Sequence, residues 1–240
     1  MTEQLKPLPD DWQRALVVMA HPDDPEYGVA AAVAVWTAAG KDVRYVLATK
    51  GEAGIAGMPP DESGPLRADE QRRACSHVGV SALEFLDYPD GRIEEGLQLR
   101  RDIAAQIRRH RPELVVTLNH RDAGWRPGGW NTADHRAVGR SVLDAVADAA
   151  NEWIFPELTE EPWAGVRWIA VAGPEVTHAV EVAAGIESAV ASLAEHRRYL
   201  EALSADPVPD QARRQVEMVT APREDFGGRR AVAVELFGDI

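Results

Sequence analysis

An imidazole and two carboxylates fall within four residues at Ala20-His21-Pro22-Asp23-Asp24, directly after the apolar run Ala15-Leu16-Val17-Val18-Met19. A buried strand that stops there delivers those groups to the carboxyl edge of a sheet, where open α/β folds keep their sites. His21 and Asp24 stand three apart, so one helical turn aims both at a common ion. Asp23 then points elsewhere and is free to work as a base on water at the metal. For the pentapeptide alone, a tight Pro turn whose Asp residues cap the next helix is the plainer alternative.

A second segment, Gly128-Gly129-Trp130-Asn131-Thr132-Ala133-Asp134-His135, opens the amphipathic stretch Arg136 to Ala150 and supplies His135 as a third ligand. At a helix N-terminus the macrodipole disfavours the imidazolium, which leaves that ring available to a cation. Two His and one carboxylate leave coordination positions open, the mark of a catalytic rather than a structural site.

With these residues the chain resembles the PIG-L/LmbE family of metal-dependent deacetylases, which remove acyl groups from N-acylated amino sugars and related conjugates. The resemblance rests on Ala20 to Asp24, on Thr49-Lys50-Gly51-Glu52, on Arg67-Ala68-Asp69-Glu70, on Phe85-Leu86-Asp87-Tyr88-Pro89-Asp90-Gly91 and on Asp134-His135. It implies one zinc ion on His21, Asp24 and His135, with other divalent ions left open, and Asp23 as the acid–base group. The substrate it implies is a small amino sugar or sugar conjugate, most simply an N-acetylglucosamine, cleaved at its amide. Arg67 would then reach a sugar hydroxyl and Asp90 accept hydroxyl hydrogen bonds. Glu52, Trp130, Thr132 and His196 complete the expected substrate-binding set, the last through Glu195-His196-Arg197, an echo of a His-Arg-Ser-Gln element.

Two positions depart from the pattern. Thr132 stands where many relatives carry a His, and its expected job is to cap the helix of His135. Trp130 stands where some carry a Tyr. Either Asp23 then performs both proton transfers, or another group such as His120 or His196 substitutes, or turnover is slow. These departures keep open a degenerate relative that binds an amino sugar without turnover. A non-haem iron oxygenase also uses two His and one carboxylate, but the alternation of strands and helices in this chain argues against it.

The elements that must position these groups alternate. Strand patterns lie at Ala15 to Met19, Val43 to Thr49, Leu83 to Leu86, Leu114 to Leu118 and Val166 to Val171, with two more at Glu175 to Val182 and Arg230 to Leu236. Helical patterns lie at Glu26 to Ala39, Leu66 to Val78, Leu97 to Arg109 and Ala183 to Leu203. This predicts a Rossmann-like, mostly parallel sheet with helices on both faces. If the first five strands run 3-2-1-4-5, the loops carrying His21 and His135 meet at the switch point. The first loop lacks Gly-x-Gly-x-x-Gly, which argues against a dinucleotide. The long loops Lys50 to Pro65 and Asn119 to Ala133 are expected to wall a pocket.

A chain of 240 residues, 45% hydrophobic and 27% charged, suits a single domain over 1–240. Its net charge of -13 argues against nucleic acid and anionic membranes as partners. The lone Cys75 excludes an internal disulfide and reads as a small core residue. Residues Met1 to Lys6 show no basic cluster or apolar core of a leader, and no apolar run approaches bilayer length, so a cytoplasmic protein is expected. A homo-oligomer is left open.

Overall fold

The computed structural model describes residues 4–126 and 128–238; Met1 to Glu3, Pro127, Asp239 and Ile240 lie outside the described residues. Among the described residues, nine strands and eight α-helices follow in chain order. They are β1 (Lys6–Pro7), β2 (Arg14–Met19), α1 (Asp24–Gly28), α2 (Ala30–Ala38), β3 (Asp42–Leu47), α3 (Pro60–His77), β4 (Leu83–Phe85), α4 (Leu97–His110), β5 (Leu114–Leu118) and α5 (Ala133–Ala150). Then come β6 (Trp168–Ala172), β7 (His178–Glu181), α6 (Ile186–Ala194), α7 (Arg197–Leu203), α8 (Val208–Val219), β8 (Pro222–Arg223) and β9 (Arg229–Gly238).

The strands form one sheet in the order β1-β7-β9-β6-β5-β2-β3-β4, with β8 paired to β9. From β4 to β6 every pairing is parallel, and β9 runs antiparallel to both β6 and β7. The central strands β2 and β5 are almost wholly apolar because helices cover both faces; every residue of β5, Thr117 included, and all of β2 after Arg14 is buried. Right-handed crossovers place α2 and α3 on one face and α4 and α5 on the other. Strand β2 neighbours both β3 and β5, with Ala15 opposite Val43 and Leu114, so the sheet order reverses between β2 and β5 as the strand patterns predicted.

Several boundaries differ from the sequence patterns, each for a local reason. The helix expected over Glu26 to Ala39 is divided at Val29, whose φ of -130 interrupts the helical run. Helix α3 begins at Pro60 rather than Leu66, and Pro65 sits inside it; Ser63 and Gly64 are buried, and Gly64 lies against the Glu52 side chain, so packing outweighs the lost hydrogen bond. The helix expected over Ala183 to Leu203 breaks at Glu195-His196, where His196 turns inward and is fully buried. Helix α8 was not legible, since Ala212 and Val216 are its only buried apolar residues among many charged ones. Among the described residues no helix is long and apolar enough to cross a membrane.

Candidate metal and active site

Strand β2 ends at Met19, and the chain folds back so that the peptide N–H groups of Ala20 and His21 both donate to Asp24 Oδ2, at 3.1 and 2.8 Å. Pro25 follows in the first turn of α1, where its missing N–H costs nothing. Asp23, between them, adopts φ +82, a left-handed conformation uncommon for a residue with a Cβ. That turn separates two consecutive carboxylates: Asp24 faces the imidazoles and Asp23 faces Arg67.

His21 presents its two ring nitrogens to different partners. Nε2 lies 3.1 Å from Asp134 Oδ2 and 3.1 Å from Asp90 Oδ1, while Nδ1 lies 3.4 Å from Asp24 Oδ2. Two carboxylates at Nε2 require the proton there, which leaves the Nδ1 lone pair directed at the Asp24 side. Asp134 is held in turn by the N–H groups of Gly91 and Ile93 at 2.7 and 3.1 Å. His135 is arranged conversely. Its Nε2 is 3.2 Å from Asp24 Oδ1, and its Nδ1 is 3.3 Å from Asn131 Oδ1. Asn131 donates its amide hydrogens to the carbonyls of Asn119 and Arg121, so only its oxygen is left to face His135, and Nδ1 must be the protonated nitrogen. One lone pair from each imidazole and the Asp24 carboxylate therefore converge, with ligand atoms within 4.8 Å of one another. Both rings are fixed from behind in the manner of metal-ligating histidines, so the donor set fits a divalent ion such as zinc.

The electrostatics agree. Burial opposes the charge on Asp24, yet His135 and His21 outweigh it and hold its carboxyl well below the ordinary carboxylate range. Burial likewise opposes an imidazolium at His21, but Asp24, Asp134 and Asp90 raise its pKa well above the usual value, as expected of a pocket whose field favours positive charge. Burial pushes the Asp23 carboxyl up to about 6, against the pull of Arg67.

Arg67, from α3, is a buried strut. Nη1 donates to Gly51 O at 2.9 Å, Nη2 to Pro22 O at 2.8 Å, and Nη2 also lies 3.4 Å from Asp23 Oδ1. Asp90 and Glu52 interlock the loops after β4 and β3: Asp90 N–H donates to Glu52 Oε1 at 2.9 Å, and Ala53 N–H to Asp90 Oδ2 at 2.8 Å. Thr132 caps α5, its hydroxyl accepting from His135 N–H at 3.2 Å. Trp130 is 73% exposed, with the Arg136 guanidinium 5.2 Å from its ring.

Neither spare imidazole reaches the open side of the cluster. His196, expected to contact substrate, lies fully buried with Nε2 3.4 Å from Glu26. His120 turns instead toward Phe237. The sequence signals no supporting role for Asp134, though it is part of the Asp134-His135 motif, nor for Asn131 in the same segment, nor for Gln71 beside Glu70. Two shallow cavities of about 440 and 540 Å³ open around Leu86 and Asp102, and neither is lined by His21, Asp24 or His135.

Residues 16–146 match the family model described as PIG-L, GlcNAc-PI de-N-acetylase. The chain belongs to the PIG-L family. It is 30% identical over 212 residues to the 1D-myo-inositol 2-acetamido-2-deoxy-alpha-D-glucopyranoside deacetylase of Geodermatophilus obscurus, covering 75% of this chain and 70% of that protein. The enzyme of that name from Thermobifida fusca is 29% identical over 189 residues, covering 68% of this chain and 63% of the relative. The chain thus spans less than two thirds of the length of several PIG-L relatives it matches. Among solved structures, N,N'-diacetylchitobiose deacetylase from Pyrococcus horikoshii superposes with a TM-score of 0.83 at 20% identity, covering 95% of this chain and 85% of that one. This likeness supports the PIG-L fold.

Proposed function

We propose that this PIG-L protein is a zinc-dependent amidohydrolase that removes the acetyl group from a small N-acetylglucosamine-type sugar or conjugate. The observation that carries the reading is the convergence of His21 Nδ1, His135 Nε2 and Asp24, with the Asp23 carboxylate set apart beside them by a left-handed turn. A divalent ion held by these three residues would supply Lewis acidity, lowering the pKa of water toward about 7 and polarising the acyl oxygen. Asp23 accepts the proton of the attacking water as the C–O bond forms, then returns it to nitrogen as the C–N bond breaks, so the amine leaves neutral and acetic acid remains, which ionises in solvent. Arg67, anchored on two carbonyls, fixes where the Asp23 carboxylate sits. Asp90 and Glu52, on the rim loops, are the proposed contacts for sugar hydroxyls, and Trp130 and Thr132 border that rim.

The substrate class is supported by the relatives' names, which specify an acetamido-deoxyglucopyranoside, an N-acetyl-alpha-D-glucosaminyl malate and diacetylchitobiose. Amine release from a panel of N-acetylglucosamine conjugates, read with fluorescamine before and after chelation and zinc restoration, tests the reading. Release that is lost on chelation and recovered with zinc is expected; no release from any conjugate by the zinc-restored protein contradicts it.

A further inference from the structure

Most hydrogen-bond donors around the ligand residues are already engaged. Arg67 gives its terminal nitrogens to Gly51, Pro22 and Asp23, Asn131 gives both amide hydrogens to carbonyls, and the Thr132 hydroxyl serves the helix cap. His196 is sealed in the interior, and His120 lies among Phe237, Arg121, Arg140, Glu235 and Glu175. Two phenols remain, Tyr27 on α1 and Tyr199 on α7, both partly exposed.

Tyr199 is the better placed. The Arg67 guanidinium lies 4.3 Å from the centroid of its ring, and that same guanidinium reaches Asp23, so the ring is clamped to the group that positions the base. The charge of Asp23, then burial, and more weakly Asp24, raise the phenol far above its ordinary range, which keeps it a protonated donor.

We propose that Tyr199 is a catalytic residue whose hydroxyl donates a hydrogen bond to the acyl oxygen of the amide as that oxygen becomes negative. The inference rests on the deacetylase reading above. The Tyr199 proton does not change owner in this step: water oxygen bonds to the acyl carbon as Asp23 takes the water's proton, the carbonyl π pair moves onto oxygen, and the Tyr199 O–H stays covalent while its hydrogen bond strengthens. Stacking on Arg67 holds the ring in place before substrate arrives, so little reorganisation accompanies the reaction.

The test compares zinc-loaded wild type with Tyr199→Phe, which keeps the ring and removes the donor. Calorimetric titration uses two probes, N-acetylglucosamine and the glucosamine derivative whose acetamide is replaced by a tetrahedral, anionic methylphosphonamide. Tyr199→Phe should bind the tetrahedral probe about 10- to 100-fold more weakly and N-acetylglucosamine within about twofold, with kcat falling and KM little changed. Tyr199→Leu, which also loses the ring, must weaken the tetrahedral probe at least as much. Equal binding of that probe by wild type and Tyr199→Phe overturns the proposal, as does an equal loss on both probes or a smaller loss in Tyr199→Leu. Failure of wild type to bind either probe overturns the deacetylase reading and this inference with it, and is recognised because it appears without any substitution.

Discussion

The side-chain oxygen of Gln71 accepts the backbone N–H of Asp23 at 2.9 Å, and the Gln71 amide hydrogens in turn reach both carboxylate oxygens of Glu26 at 3.2 Å. A glutamine on α3 thereby holds the left-handed turn that parts Asp23 from Asp24. Gln71→Met fills the same space without the bond. It should cost about 1–3 kcal/mol of stability, because a buried N–H and a buried carboxylate lose their partner. Metal content should persist while kcat falls at least about tenfold, since a small misplacement of the base is costly. Thermal melting, elemental analysis and initial rates check these together; an unaltered kcat would show that the turn holds itself.

Gly51 has φ +66, and a Cβ there would meet Arg67 Nη1 at 2.2 Å. Gly51→Ala should therefore act at a distance, pushing the guanidinium off Pro22 O and Asp23 as well as straining the backbone. A loss of about 1–3 kcal/mol from strain is expected, with a larger relative fall in turnover than in metal affinity. Denaturant unfolding and chelator competition separate the two effects.

Asn131 and Thr132 both serve His135, by different means. Thr132→Ala removes the helix cap and should lower stability by about 1 kcal/mol while the ring orientation survives. Asn131→Ala removes the acceptor at Nδ1, and zinc affinity should fall roughly 10- to 100-fold. Competition with a chromophoric chelator measures the contrast; equal affinities in the two variants would mean that Asn131 does not select the tautomer.

The grouping of His21, Asp24 and His135, here proposed as metal ligands, was legible because the signal is local: an apolar strand ending on chemistry-bearing residues, and a His at the first turn of an amphipathic helix. The strand order around them was legible for the same reason, since apolar runs and right-handed crossovers leave few arrangements. Their supports were not. Asp134 lies 113 residues from the His21 it orients, and Gln71 lies 48 from Asp23, so no periodicity links them. Arg67 was expected to reach a sugar hydroxyl; it and Glu70, one turn on, are both buried and face different partners, Arg67 on Gly51 and Glu70 on the N–H of Arg198, which no spacing in the sequence signals. His196, expected from its Glu195-His196-Arg197 context to contact substrate, is placed by packing in the interior beside Glu26, a position no local pattern signals.

Cys75 is buried, and desolvation together with the nearby Glu26 charge pushes its thiol up to about 12. Since the thiolate is the reactive form, the folded protein should resist alkylation at pH 8 and react fully once unfolded. Reactivity should rise only as pH approaches 12 or as the fold opens. Rapid modification of the native protein at pH 8 would show that the helix around Cys75 is more open than its packing indicates.

The central claim is that Asp24 holds the metal while Asp23 handles the proton, and paired substitutions at these adjacent carboxylates test it most directly. Metal stoichiometry by elemental analysis and amine release are measured on wild type, Asp23→Asn and Asp24→Ala. The account predicts one ion per chain in wild type and in Asp23→Asn, turnover lowered by about 100-fold or more in Asp23→Asn, and neither metal nor turnover in Asp24→Ala. Undiminished metal in Asp24→Ala, or loss of metal in Asp23→Asn with turnover restored by added zinc, would contradict it.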